Sequence, residues 1–217
     1  MKISIVGAHG NISMLLIPKL IKKGHQVRGI IRKESQKEDL EKLGAEPVVA
    51  DLELQDDISD AVGKVDAVLF AAGAGPGSGA YRKWTVDRDG AIKLINACKK
   101  NGINRYLIIS AMGLDQPRGN DVFRTYLKAK AEADEAVKKS GLDYTIVKPG
   151  RLTDEPGKGN VSVGTDLDRG EVPREDVAAV LAELFERPES AGLEFDLVSG
   201  DTPVVEAIDI LVRKTAD

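Results

Sequence analysis

The 217 residues, 42% hydrophobic and 30% charged with a formal net charge of −4, have the length and balance of a globular α/β chain and offer no basic field for a polyanion such as nucleic acid. Cys98 is the one cysteine, which excludes an intrachain disulfide and points to a reducing compartment, and no apolar run is long enough to span a bilayer. The chain opens on the strand-like Lys2-Ile3-Ser4-Ile5-Val6 and not on a charged start with a long apolar stretch, so the expected location is the cytoplasm, without membrane attachment.

Short β-branched runs alternate with longer charged, helical segments, the rhythm of βαβ units around a parallel sheet buried on both faces. Strands are predicted at 3–6, 26–31, 46–50, 67–70, 106–109, 144–147 and 195–198, with helices between most of them. Right-handed crossovers wind such a chain into a Rossmann-type doubly wound α/β sheet, with residues 1–217 as a single domain and a crevice where the strand order reverses. Residues 150–173, rich in glycine, proline and charge, read as a small substrate-side cap. A helix over 174–186 follows, opened by Pro173 and the acidic residues Glu175 and Asp176, which complement the amides of a first turn.

The first strand runs into Gly7-Ala8-His9-Gly10-Asn11-Ile12-Ser13, which opens a helix reaching toward Lys23. That is where a dinucleotide fingerprint belongs. Gly7 permits the tight turn, Gly10 lets the backbone approach a diphosphate, and the amides at Asn11 and Ile12 point at negative charge. His9 is a turn residue beside the phosphates. Ser13 takes the third glycine's place, and a purely structural strand-to-helix turn is the alternative.

The second strand ends before Arg32 and Lys33, where an NAD-preferring domain usually has an acidic residue for the ribose 2′-hydroxyl. Two cations suit a 2′-phosphate, so NADP(H) is the preferred cofactor and NAD(H) the second choice; a solvated surface pair is the bland alternative. Asp51 and Leu52 close the third strand, the carboxylate placed for an adenine amino group and the leucine for the ring. Ala71, Ala72 and Gly73 end the fourth strand with small residues that leave backbone room for the adenosine side, or that merely pack tightly. His9 and His25 lie far apart and no Cys/His cluster exists, so no metal is expected.

Taken together, Val6-Gly7-Ala8-His9-Gly10-Asn11-Ile12, Val86-Asp87-Arg88-Asp89-Gly90-Ala91, Tyr126-Leu127-Lys128-Ala129-Lys130-Ala131-Glu132, Leu142 to Gly150 and Pro173 to Ala178 resemble the short-chain dehydrogenase/reductase superfamily over nearly the whole chain. The likeness is to its atypical branch of NAD(P)-binding epimerase/dehydratase-like or NmrA-like proteins. It implies about seven parallel strands, bound NADP(H), and a tyrosine, lysine and serine set for proton and hydride transfer. Tyr126 and Lys130 match by position, and four residues apart on a helix they share a face; an ordinary amphipathic helix with Tyr126 half-buried and Lys130 solvated is the alternative. An ammonium beside the phenol is expected to lower its proton affinity and fit it for acid/base work. In the family the lysine also contacts the nicotinamide ribose.

Ser110 ends the fifth strand, although counting from the strand's start places the family's serine on Ala111. Asp87 stands where related enzymes commonly have asparagine, either holding a water or backbone group near Lys130 or facing solvent. Two functions follow from the resemblance. One is an oxidoreductase or sugar-epimerase/dehydratase-like enzyme acting on a small carbonyl or hydroxyl substrate, enclosed by residues 73–79, 112–120 and 150–173. The other is an NmrA-like redox sensor that binds NADP(H) without turnover, for which Ala111 is the best support. Neither requires nucleic acid or a membrane as partner, and the oligomeric state is open between monomer and homodimer.

Overall fold

The computed structural model describes residues 1–75, 77–116 and 118–213. The chain runs β1 (Lys2–Val6), α1 (Asn11–Lys22), β2 (Gln26–Ile31), α2 (Lys37–Lys42), β3 (Glu46–Val49), α3 (Ser59–Val62), β4 (Ala67–Phe70) and α4 (Ala80–Arg82). A π-helical turn (Lys83–Arg88) leads into α5 (Asp89–Asn101). There follow β5 (Arg105–Ile109), α6 (Asp121–Lys138), β6 (Asp143–Pro149), β7 (Arg151–Thr153), β8 (Asn160–Gly164), β9 (Glu171–Pro173), α7 (Arg174–Leu184), β10 (Leu193–Ser199), β11 (Thr202–Pro203) and α8 (Val204–Arg213).

Among the described residues one nine-stranded sheet has the order β11-β8-β10-β6-β5-β4-β1-β2-β3. From β3 to β10 every pairing is parallel, while β8 runs antiparallel to both β10 and β11. This is the predicted doubly wound α/β sheet, and its order reverses between β1 and β4. All four residues of β4 are buried, as expected of a strand covered on both faces. Pro47, which has no N–H to give a ladder, lies in β3 at the sheet's edge.

Two apolar layers enclose the sheet. One gathers Leu16, Ile17 and Leu20 of α1 with Val177, Leu181 and Ile208 of α7 and α8; the other joins Val62, Leu94, Cys98 and Val137 of α3, α5 and α6. The spacing of Ile12, Leu16, Ile17 and Leu20 puts one stripe of α1 on the sheet. Helix α6 starts where the Asn120 side chain accepts the Phe123 N–H at 2.9 Å, and α5 ends on left-handed Gly102.

All seven predicted strands are present, as β1 to β6 and β10. The segment 150–173 departs from the expected irregular cap: it contains β7, β8 and β9, and β8 joins the main sheet. Three-residue strands give no readable periodicity, and antiparallel β8 is recruited by its neighbour β10, long-range pairing that local pattern does not report. The helix predicted over 174–186 is two residues shorter, ending at Leu184.

Candidate functional site

The crevice at the β1/β4 reversal is built on Gly7. Its amide and that of Ala8 both donate to Ile30 O, at 3.2 and 3.1 Å, and the Gly10 N–H closes the turn on Gly7 O at 3.0 Å. Gly7 has φ +87°, and a Cβ there would stand 2.6 Å from Ala72 N. Only glycine fits, because the turn needs left-handed backbone and the β4 end passes directly against it. Across that contact Ala71 N–H donates to Val6 O at 2.9 Å.

Gly10 precedes α1 with extended backbone, no capping side chain and no acidic residue in the first turn. The first intrahelical bond runs from Met14 N–H to Gly10 O at 2.9 Å, so the amides of Asn11, Ile12 and Ser13 precede it at a positive helix end. These features fit a diphosphate: uncapped donors, a positive dipole, and a cradle that a Cβ would fill. Ser13 is fully buried and its hydroxyl has no partner among the described residues.

One side of the crevice, a cavity of about 280 Å³, gathers Gly7, His9, Gly10, Arg32, Asp51, Leu52, Ala71, Ala72 and Gly73. Arg32 and Lys33 are both exposed, and only Arg32 borders this cavity. Their amides donate to the Gln36 side-chain oxygen at 3.2 and 3.0 Å, which holds the turn, while the Arg32 guanidinium makes no ion pair among the described residues. Asp51 accepts the Glu53 N–H at 2.9 Å, and His9 Nε2 lies 2.8 Å from Asp39 Oδ2. Glu53, which sequence reading passed over, takes a forked bond from Arg82 at 2.9 and 2.6 Å and one from Thr85 at 2.7 Å. The Arg82 hydrogen bond holds its carboxyl below the usual carboxylate range.

The other side is a larger cavity of about 980 Å³ that brings together Asn11, Ile12, Gly73, Asp87, Ser110, Tyr126 and Lys130. Asp87 lies in the π-helical turn, whose wider spacing inserts side chains where a regular helix would not, as such turns often do at functional sites. It is buried, accepts the Ala74 N–H at 3.1 Å, and lies 3.8 Å from Lys130 Nζ. Lys130 is also buried, and its ammonium donates to Ile109 O at 2.9 Å. Lys83, from the same π turn, donates to Gly75 O at 2.8 Å and stands 5.6 Å from the Tyr126 ring centre; burial pulls its pKa down.

Two expectations change. The phenol of Tyr126 is pushed up, not down: burial is the largest cause, the carboxylates Asp87 and Asp134 add to it, and Arg118 opposes it weakly. The Lys130 ammonium is engaged by Ile109 O and by Asp87. The loop 112–116 borders a separate cavity of about 670 Å³ and not the one that holds Tyr126; of the proposed enclosing segments, the larger cavity takes residues 73–79 in part, Asn120 and Leu152. Ser110 lines the larger cavity and Ala111 is not among its lining residues. The Ser110 hydroxyl lies 2.6 Å from Asp134 Oδ2. Asp134 escaped sequence reading although its spacing from Tyr126 and Lys130, every fourth residue along α6, puts all three on one helix face. Among the described residues no group of His, Cys, Asp and Glu could hold a metal, and no helix is long and apolar enough to cross a membrane.

A doubly wound sheet with a glycine turn and an uncapped helix at its reversal defines a nucleotide-binding Rossmann-type protein. The chain belongs to the NAD(P)H-binding family, whose model matches residues 7–188. It is 39% identical over 211 residues to the "Uncharacterized sugar epimerase YhfK" of Bacillus subtilis (strain 168), covering 96% of this chain and 99% of that one. A Bacillus halodurans structure bearing the name of an NAD-dependent epimerase/dehydratase superposes with a TM-score of 0.91 at 40% identity, covering 97% of this chain and 99% of that one. The oxidoreductase ylbE of Lactococcus lactis follows at 0.85 and 28% identity, covering 98% and 97%. These likenesses are those of an atypical short-chain dehydrogenase/reductase-like family of oxidoreductases and epimerases.

Proposed function

We propose that the protein is an NADP(H)-dependent oxidoreductase that reduces a small carbonyl compound, or oxidises the matching alcohol, in the larger cavity. Gly7, Gly10 and the amides of Asn11 and Ile12 hold the diphosphate; Asp51 and Leu52 take the adenine; Arg32, at the end of β2, takes the 2′-phosphate; and the backbone of Ala71 to Gly73 flanks the adenosine. When bound, the reduced nucleotide supplies a hydride. Tyr126 gives the proton to the substrate oxygen from its Oη, which its raised pKa keeps in the protonated form at neutral pH. Lys130, anchored on Ile109 O and Asp87, orients the nicotinamide ribose, and Ser110 holds the substrate oxygen.

The observation that carries this reading is that Tyr126, Lys130 and Ser110 line one cavity with the start of α1. Ser110 in that wall supports turnover over a binding-only sensor. Val122, Phe123 and Leu152 favour a substrate with an apolar body. The test is NADPH oxidation by purified protein against a panel of carbonyls and quinones, with Tyr126→Phe lowering kcat by roughly 10²- to 10⁴-fold, the usual range for a lost general acid. Undiminished turnover in that variant removes Tyr126 from the chemistry.

A further inference from the structure

Between the larger cavity and its neighbour stands a pair of side chains that the reaction just described leaves half explained. Ser110 faces the larger cavity and Asp134 the other, and their oxygens are 2.6 Å apart. Both residues are buried, at 3% and 2% exposure. Asp134 Oδ1, the oxygen not facing Ser110, has no hydrogen-bond partner among the described residues. One short contact between a hydroxyl and a carboxyl admits two proton arrangements. An ionised Asp134 can only accept, so the Ser110 O–H donates to it and the hydroxyl turns lone pairs toward the cavity. A protonated Asp134 can donate to Ser110 Oγ instead, and the serine's own proton is then free for a substrate oxygen.

We propose that Asp134 is a positioning residue whose ionisation decides whether Ser110 offers the substrate oxygen a proton or a lone pair, favouring carbonyl binding when Asp134 is protonated and alcohol binding when it is ionised. The substrate half of this inference rests on the reductase reading; the coupling of the two side chains does not. The groups facing Asp134 are Ser110 and Tyr106 from the β5 side, Tyr126, Lys130 and Lys138 on α6, and Lys148 on β6. Burial raises the Asp134 pKa, and the Ser110 hydrogen bond and the three lysines oppose that only in part. Proton exchange has an exit, since Asp134 borders the second cavity beside Lys138, Lys148 and Glu194. The Lys148–Glu194 and Lys138–Glu194 ion pairs at its rim leave the two lysines already matched.

Two measurements test this. In full-length protein carrying carboxyl-labelled aspartate, with the Asp134 resonance identified by its loss in Asp134→Asn, Ser110→Ala should raise the Asp134 titration midpoint by about one to two pH units, the size of a lost hydrogen bond to a charged group. An unmoved midpoint overturns the coupling whatever the turnover. In NADPH-driven carbonyl reduction, kcat/KM of the native protein should fall as pH rises through the Asp134 midpoint, and that limb should vanish in Asp134→Asn whatever its absolute rate, because the side-chain amide donates to Ser110 at every pH. The same limb surviving in Asp134→Asn overturns the proposal. If no carbonyl oxidises NADPH while Ser110→Ala still moves the midpoint, the reductase reading falls and the coupling stands.

Discussion

Gly7 carries two separable demands, a left-handed φ and a missing Cβ, and a single substitution cannot tell them apart. Gly24 supplies the comparison: its φ of +84° matches the +87° of Gly7, yet a Cβ there meets nothing within 4 Å. Gly24→Ala should therefore report the backbone cost alone, about 1 kcal/mol or somewhat more for a non-glycine residue at positive φ. Gly7→Ala should cost about 1–3 kcal/mol beyond that, since Ala72 is backbone and cannot swing aside, and it should abolish nucleotide binding by pushing the β1 and β4 ends apart. Urea unfolding of the two variants checks the difference; equal midpoints would mean that the crevice yields without loss. The position of Gly7 was readable because turn chemistry is local. The direction of the Tyr126 shift was not, because it depends on burial and on which neighbour Lys130 faces, neither of which a four-residue spacing records. Asp134 lay open to the same spacing argument that found Lys130, and was missed because a carboxylate four residues further along a helix is ordinarily a solvated surface group.

At the scale of elements, the end of β2 and the start of α2 work as a unit. Gln36 gathers the Arg32 and Lys33 amides onto one oxygen, and the turn so held presents Arg32 to the smaller cavity while Lys33 stays outside its wall. The two-cation motif thus resolves into one candidate phosphate ligand. A charge-assisted hydrogen bond contributes about 1.5–3 kcal/mol, so Arg32→Ala should weaken NADPH binding by about tenfold or more and change NADH binding less than about twofold. Lys33→Ala should leave both affinities nearly unchanged. Calorimetric titration of the two nucleotides decides it, and an equal loss for both in Arg32→Ala would remove the guanidinium from the 2′ position. Elements buried on both faces, such as β4 and β5, were legible as apolar runs. The strands within 150–173 were not, since β7 and β9 have three residues each and exist by pairing with one another, and β8 by pairing with β10 and β11.

Across the whole molecule, the sheet couples the crevice to the layer beneath it. Cys98 lies fully buried on α5, in the same apolar cluster as Val6 and Phe70, the last residues of β1 and β4 before the crevice. Burial pushes its thiol up to about 12, and since the thiolate is the nucleophile, an alkylating reagent reaches it only through an opening of the structure. That makes the lone thiol a gauge of cooperativity. A ligand present at a hundredfold its Kd and bound only by the closed form stabilises that form by about 2.7 kcal/mol, a factor of about 100 in the opening equilibrium. Where reclosing outpaces alkylation, NADPH at that level should slow Cys98 labelling by about 100-fold if the opening that exposes α5 also dismantles the β1/β4 reversal. Labelling unaffected by NADPH, in protein shown by calorimetry to bind it, would mean that α5 lifts from the sheet while the nucleotide crevice stays closed. The shared cluster argues for the first outcome, because Phe70, whose ring packs at Gly90 of α5, is followed directly by the Ala71–Ala72 backbone that lies against Gly7.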